Sequence, residues 1–502
     1  MIPLRPLSAL LLALGVVAAS AQPPEPVPPA PEVIALSDAI RRAVAKNFSL
    51  QADSYDVAIA RARVLEQWGL FDPQIVGSYR TSENENPLTT FDPATGLRNY
   101  TTNKSDSYEL SLNGTLPWGL TYSLGGTQTN ARGTFNLFAD SYETFGGISA
   151  RQPILRGFGL GATTAQLRIA MTNRSISEWQ FKQSVIDTVT RVIFAYYELN
   201  YANGVLRSAR RARDIAAELV DENEKRFRVG SMSEYDVTSA RARLANRAEG
   251  ILSAERLVRE SENAFKALIS DERTMKLHDW RIAIEPMSTL PVALVDAALD
   301  FRTSLDKRPD YQQALLNVKR GKLNRSYQRN QLLPRVDLVG SYGYNGLDGS
   351  RETAQRLVRQ EDYRAYSYGV QVTIPLTFAS ERGRYRQAKF ALKQAEADLA
   401  ATEQGIVVAV GNSAANIETA RQRVDAARAA RKLGEATLEA EQKRLRAGTG
   451  NTFYVVQQQE ILTSLEVAEV RAEADYRKAV AEYDRQLGIT LEKLNIEVSV
   501  PN

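Results

Sequence analysis

RFRVGSMSEYDV at residues 226–237 and RLRAGTGNTFYV at residues 444–455 are one segment written twice, 218 residues apart. Each places two basic residues around an apolar one, then a glycine, then short polar residues, then an apolar restart. Gly230 and Gly448 supply the backbone freedom that reverses a chain between two helices. Ser231, Ser233, Thr449 and Thr452 are short polar residues suited to capping the helix that follows. The flanks are charged and alanine-rich, and Ile186, Val189, Ile193 and Tyr196 keep the three- and four-residue spacing of one buried stripe. The spacing predicts one helix from about Ala162 to Arg228 and another to Ile269; a helix of that first length spans roughly 100 Å, too long for a globular core. Such helices bury their stripes against other long helices.

The repetition extends outward. A long helix from about Glu381 to Arg446 precedes the second segment, and Tyr483 stands opposite Phe265 at the same offset. Upstream of each long helix, VGSY occurs at 76–79 and 339–342, shortly after Pro73 and Pro334. From Asp72 to Ile154 the texture turns to Tyr, Thr, Ser, Gly and Asn, with apolar residues alternating in YELSLNGTL (108–116) and LTYSLGGTQT (120–129). Period two is a strand signal, and Pro117-Trp118-Gly119 reads as a tight turn between two strands. GISARQPIL (147–155) and SYGVQVTIPLTF (367–378) read as strands, residues 81–105 as a long polar loop. A first helix is expected from Asp38, capped by Ser37, to Trp68; WRIAIEP (280–286) and LNIEVSV (494–500) close the halves as short strands. The chain divides into a first repeat over 35–290, a second over 291–490 and a C-terminal segment over 491–502.

The N-terminus has the three parts of a secretory signal over residues 1–21, with Arg5, an apolar run from Leu7 to Ala18 and a small-residue cleavage site at Ala19-Ser20-Ala21. Residues 22–34 are a proline-rich tether. The 502 residues contain no cysteine and one histidine, His278, which removes thiolate chemistry, disulfides and the usual zinc sites and leaves a serine triad one imidazole. A net charge of +4 is too small to indicate nucleic acid. No enzyme constellation, cofactor or metal site is visible. Alternating strands in an exported chain suggest an outer-membrane barrel, yet two to six strands cannot close one, and an open edge cannot sit in lipid. Several chains must share the barrel and the helical tube.

Internal duplication, the paired tip segments and QPILRGFG (152–159) at the strand-to-helix junction make the sequence resemble the outer membrane efflux protein family, the TolC-type exit ducts, over essentially all of residues 35–490. The resemblance implies an α+β fold: a homotrimer whose outer-membrane β-barrel continues into a long periplasmic α-helical barrel. It implies docking onto a periplasmic adaptor and an inner-membrane transporter of the RND, MFS or ABC type, for efflux or type I secretion. The two tips correspond to the adaptor-docking segments, here Arg226, Gly230, Ser231 and Ser233 with Arg444, Gly448, Thr449 and Gly450. By the same resemblance Asp236 faces the pore, where three copies would form an acidic ring.

The second tip departs from the family. Tyr454 stands where an acid is common and Gly450 where an arginine often locks the tip, so packing of Phe453 and Tyr454 is the expected constriction. The hairpin within 105–130 is a second departure, since the family contributes two strands per half; its clean alternation favours a place in the barrel wall. The alternative to a duct is a non-conducting trimeric coiled-coil envelope protein or adhesin. Gly157-Phe158-Gly159-Leu160-Gly161 reads as a barrel-to-helix junction rather than a phosphate loop, and RSARRARD (207–214) as a solvated helix face rather than a nucleic-acid patch. Trp68 and Trp118 sit beside strand-flanking turns, consistent with an interfacial belt or with ordinary packing.

Overall fold

The computed structural model describes residues 31–91, 93–94, 98–285, 290–291, 296–447 and 449–498. The signal segment, most of the tether, Gly448 and residues 499–502 lie outside that set. Chain order begins with β1 (Glu32–Ile34), α1 (Leu36–Lys46), α2 (Phe48–Trp68), β2 (Gln74–Phe91), β3 (Arg98–Thr115), β4 (Thr121–Gly133) and β5 (Tyr142–Pro153). Then come α3 (Leu160–Thr163), α4 (Ala165–Arg228), α5 (Glu234–Ile269), α6 (Lys276–Asp279) and β6 (Ile282–Ile284). The rest is α7 (Ala297–Lys307), α8 (Pro309–Asn330), β7 (Arg335–Asp348), α9 (Arg351–Arg359), β8 (Tyr363–Thr373), α10 (Ala379–Arg446), α11 (Thr452–Leu487) and α12 (Thr490–Lys493).

The two axial helices have 64 and 68 residues, hence lengths of ~96 and ~102 Å at 1.5 Å per residue. Each carries shorter partners stacked along it. Phe181, Val185, Ile186, Val189, Val192 and Tyr196 of α4 pack with Ile40 and Val57 of α1 and α2 and with Phe265 of α5. Ile406, Val410, Ile417 and Val424 of α10 pack with Tyr476, Val480 and Tyr483 of α11, with Phe301 and Tyr311 of α7 and α8 against them. The expected first helix is two helices. Asn47 divides it: its side chain accepts from Ser49 and Leu50 amides and donates to the Leu268 carbonyl at 3.0 Å, tying the break to the end of α5. Residue 35, an alanine, not Ser37, precedes α1. Residues 32–34 of the tether form β1, paired in parallel with β6, while 494–498 form no strand.

The main sheet is antiparallel, in the order β2-β3-β4-β5-β7-β8. The hairpin of residues 98–133 is thus inserted between β2 and β5. Within residues 81–105, expected as a loop, 81–91 and 98–105 are the upper parts of β2 and β3, paired without interruption from Gln74↔Asn113 to Pro87↔Tyr100. Both faces are polar there, so the period-two signal that marks half-buried strands is lost although the ladder continues. Nearer the helices the faces differ sharply. One presents Ile75, Tyr79, Leu110, Leu124, Ile148, Leu338, Tyr342, Tyr366, Tyr368, Val370 and Val372, all exposed. The other is polar and forms a hollow lined by Gln74, Asn113, Ser123, Ser149, Arg151 and Ser341. Neither β2 nor β8 has a partner on its second edge among the described residues.

A compact monomer of 55.7 kDa exposes about 18,000 Å², whereas this chain exposes 32033 Å². The surplus is larger than the undescribed residues alone supply, even counted at the roughly 1.45 Å² per dalton of an unfolded chain. An exposed apolar sheet face and exposed helix residues such as Phe390, Val407, Val408 and Leu433 account for part of it. Among the described residues no helix is long and apolar enough to cross a membrane.

Candidate functional site

The two tips are built from equivalent hydrogen bonds. At the end of α4, Gly230 takes φ +74°, its amide donates to the Phe227 carbonyl at 2.9 Å, and the Ser231 amide donates to the Arg226 carbonyl at 2.9 Å. That pair of bonds is a Schellman closure, and the left-handed position is one where a side chain is strained. At the end of α10 the Thr449 amide donates to the Arg444 carbonyl at 3.1 Å, the same bond 218 residues on. The hydroxyls of Ser231 and Thr449 donate to those same carbonyls at 3.0 and 3.3 Å. They therefore close the preceding helix rather than cap the next, as their position in the sequence had suggested. The following helices are capped by Ser233 and Asn451, again 218 apart. Asn451 rather than Thr452 is the cap, its side-chain oxygen accepting from the Phe453 amide at 2.9 Å, and Thr452 is the first residue of α11.

Asp236 completes a capping box. Its amide donates to the Ser233 hydroxyl oxygen at 3.2 Å, and its Oδ2 accepts from the Ser233 amide at 3.3 Å and hydroxyl at 2.5 Å. One carboxylate oxygen is committed to the helix end; the residue as a whole remains exposed. Tyr454 occupies the matching position in α11 and stacks edge-on against Phe453 with centroids 5.7 Å apart, both rings more than half exposed. Phe227, Val229 and Tyr235 are likewise exposed at the first tip. Arg226 is held by Glu222 at 2.8 Å and Arg444 by Glu441 at 2.9 Å. Gly450 lies against the end of α10, where a Cβ would stand 2.7 Å from the Leu445 amide nitrogen. An arginine has no room there in this conformation, which gives a steric reason for glycine. Gly448 falls outside the described residues.

The two hairpins lie side by side. Ala240 and Arg247 of α5 share a small cavity with Val456 and Glu460 of α11, and Val237 and Val455 are buried beneath the tips. Ion pairs run along the seam, from Arg247–Glu460 at 3.1 Å and Arg211–Glu466 at 2.9 Å to Glu198, which meets both Arg471 at 3.0 Å and Lys478. Burial raises the Glu198 carboxyl, but these two cations outweigh it and hold it below its ordinary value. Three arginines of the basic run 207–214 are ion-paired, Arg210 with Glu255, Arg211 with Glu466 and Arg213 with its neighbour Asp214. At the other end, Gly157 and Gly159 take φ +82° and form the expected junction, with the Gly157 amide donating to Asn330 and Arg156 to Gln331, both at 2.8 Å. His278 is exposed on α6, and among the described residues no acidic or histidine group is placed to hold a metal.

The family model described as outer membrane efflux protein matches residues 39–270 and 301–488. The chain belongs to that family. Members of the outer membrane efflux protein family are outer-membrane channels, not enzymes, and the chain's location is the outer membrane. Outer membrane protein TolC of Vibrio cholerae is 26% identical over 235 residues, 44% of this chain and 49% of that protein, so the match spans about half of the relative's length. The fold is similar to the Campylobacter jejuni CmeC outer membrane channel, with TM-score 0.68 and 17% identity over 91% of this chain and 86% of that one. It is also similar to the outer membrane protein VceC of Vibrio cholerae, with TM-score 0.66 and 15% identity over 90% of this chain and 96% of that one.

Proposed function

We propose that three copies of this chain form an exit duct that passively conducts substrates from an inner-membrane transporter and periplasmic adaptor, in a tripartite efflux or type I secretion system, to the exterior. The observation that carries the reading is the six-stranded sheet, apolar on one face and polar on the other in its part nearer the helices, with two edges unpaired among the described residues and ~100 Å helices beneath it. A single copy would leave those edges and that apolar face in lipid unsatisfied. Pairing β8 of each copy with β2 of the next closes a wall of eighteen strands, with the apolar faces outward and the polar hollows lining the lumen. The helices of three copies then enclose the periplasmic tube, and the matched bonding of the two tips supports reading each chain as two repeats, 35–290 and 291–490.

The tips are the closing end and the adaptor-docking surface. Asp236, with one oxygen held in its capping box, keeps the other for the lumen, and three such carboxylates favour cations. The exposed Phe453–Tyr454 pair closes the second tip by packing, in place of an arginine lock that Gly450 has no room to carry. Opening is a twist of the hairpins when the adaptor docks, with energy from the partner transporter. A non-conducting envelope protein or adhesin has no use for a polar lumenal face. Ion selectivity in planar bilayers tests the arrangement: cation preference that falls with Asp236→Ala supports it, and unchanged preference removes Asp236 from the constriction.

A further inference from the structure

The short helix α9 is not part of the sheet, the tube or the tips, yet it is firmly built. It follows β7 at the end of the sheet far from the helices and folds back onto the apolar-face side. Ala354 is fully buried against β7. Gly346 and Gly146 make the close approach possible: a Cβ on the first would collide with the Ala354 carbonyl, and one on the second would lie 2.9 Å from Val358. The anchor is polar. Arg351 donates to Gln128 Oε1 at 2.8 Å and stacks on Tyr108 at 5.1 Å, and Gln128 donates to Thr144 at 3.0 Å. Ser350 caps the helix.

What this scaffold presents is a set of arginines. Arg356 and Arg359 lie three residues apart on the exposed side of α9, and Arg364 opens β8 on the same sheet face, opposite Tyr344. None of the three has an ion pair among the described residues, and all three are exposed to solvent. The acids of the segment are Glu352, which favours the first turn of α9, Asp362, and Glu361, which accepts from the Tyr344 hydroxyl at 2.8 Å. Immediately helix-ward on this face stand Tyr344, Tyr342, Tyr366 and Tyr368, then Val370 and Val372. The order from the rim inward is therefore unpaired guanidinium groups, a tyrosine girdle, and aliphatic side chains. That is the order of a lipid leaflet with anionic headgroups: phosphate, interface, acyl chain.

We infer that α9 with Arg356, Arg359 and Arg364 is a lipid-binding collar that grips the phosphate groups of the phosphorylated glycolipid in the outer leaflet. Guanidinium forks bind phosphate bidentately, and the helix holds two of them at fixed spacing. The inference rests on the sheet being the wall of an outer-membrane barrel. The test uses the full-length protein purified in mild detergent, with diphosphoryl lipid A and its dephosphorylated form as probes, and native mass spectrometry of retained lipid as readout. Wild type should retain diphosphoryl lipid A at least about tenfold more tightly than the dephosphorylated form. The triple variant Arg356→Gln, Arg359→Gln, Arg364→Gln should lose that preference, and the corresponding triple Lys variant should keep part of it. Equal retention of both lipids by wild type, or an undiminished preference in the Gln variant, overturns the collar. Single-channel conductance of the same samples separates the two readings: the Gln variant should conduct as wild type does, whereas failure of wild type to insert and conduct would sink the barrel rather than the collar.

Discussion

Removing the hairpin that separates β2 from β5 should narrow the proposed barrel by a calculable amount. In chain order β2 rises from the helices, β3 descends, β4 rises and β5 descends, so deleting residues 98–133 leaves β2 and β5 antiparallel and able to pair directly. Each chain then offers four strands instead of six. For n strands spaced ~4.8 Å apart and tilted ~40°, the backbone radius is spacing/(2 sin(π/n) cos tilt). Eighteen strands give a radius of about 18 Å and twelve about 12 Å, so the cross-section falls to a little under half. The tube below is untouched, because its cores involve no residue of 98–133. Electron cryomicroscopy of both proteins in lipid nanodiscs reads diameter and strand number together. An eighteen-stranded wild type and a narrower twelve-stranded variant are expected. A wild-type wall of twelve strands, with the hairpin splayed outside it, would refute the reasoning.

Other outcomes follow from the helical part. Phe265→Ala empties a site that is fully buried beside Tyr196, whose ring lies 5.7 Å away, and should cost about 3–5 kcal/mol, read as a lowered thermal midpoint without loss of membrane insertion. Gly230→Ala, at φ +74°, should cost about 1–2 kcal/mol confined to the tip, seen as faster hydrogen exchange over 226–237 and nowhere else. Gly450→Arg should disorder the second tip rather than lock it, raising exchange over 444–455, because its Cβ meets the backbone of α10. The pH response has a definite sign. The Glu198 carboxyl is held below its ordinary value in the folded chain, so its contribution is complete above the unfolded-state value of about 4.3 and is lost as pH falls through the folded one. Glu198→Gln should weaken the fold at pH 7 and flatten the fall of melting temperature below about pH 4.

The long helices were legible because stripes such as Ile186-Val189-Ile193-Tyr196 repeat over many turns, and these residues are the buried ones. Both tips were legible because the chain repeats them at a fixed offset. What escaped were features decided by tertiary partners. Asn47 breaks the first helix because its amide reaches Leu268, 221 residues away. The upper strand segments 81–91 and 98–105 have no continuous apolar face, so pairing with a neighbour is their only signature. At the tips the sequence suggested several short polar residues as caps, and geometry divides them: Ser231 and Thr449 bind backward, Ser233 and Asn451 bind forward. Whether Asp236 faces a lumen depends on the neighbouring copies in the proposed trimer, which one sequence does not display.

Single-channel recording from the purified protein in planar bilayers asks whether the assembled chain is a duct. A variant shortened at both tips serves as its open counterpart. Discrete conductance from the full-length protein, small and cation-preferring, and much larger once the tips are removed, is the result expected of a trimer closed at its helical end. A correctly folded trimer that passes no current, even with its tips removed, would contradict the duct and leave a structural envelope protein in its place.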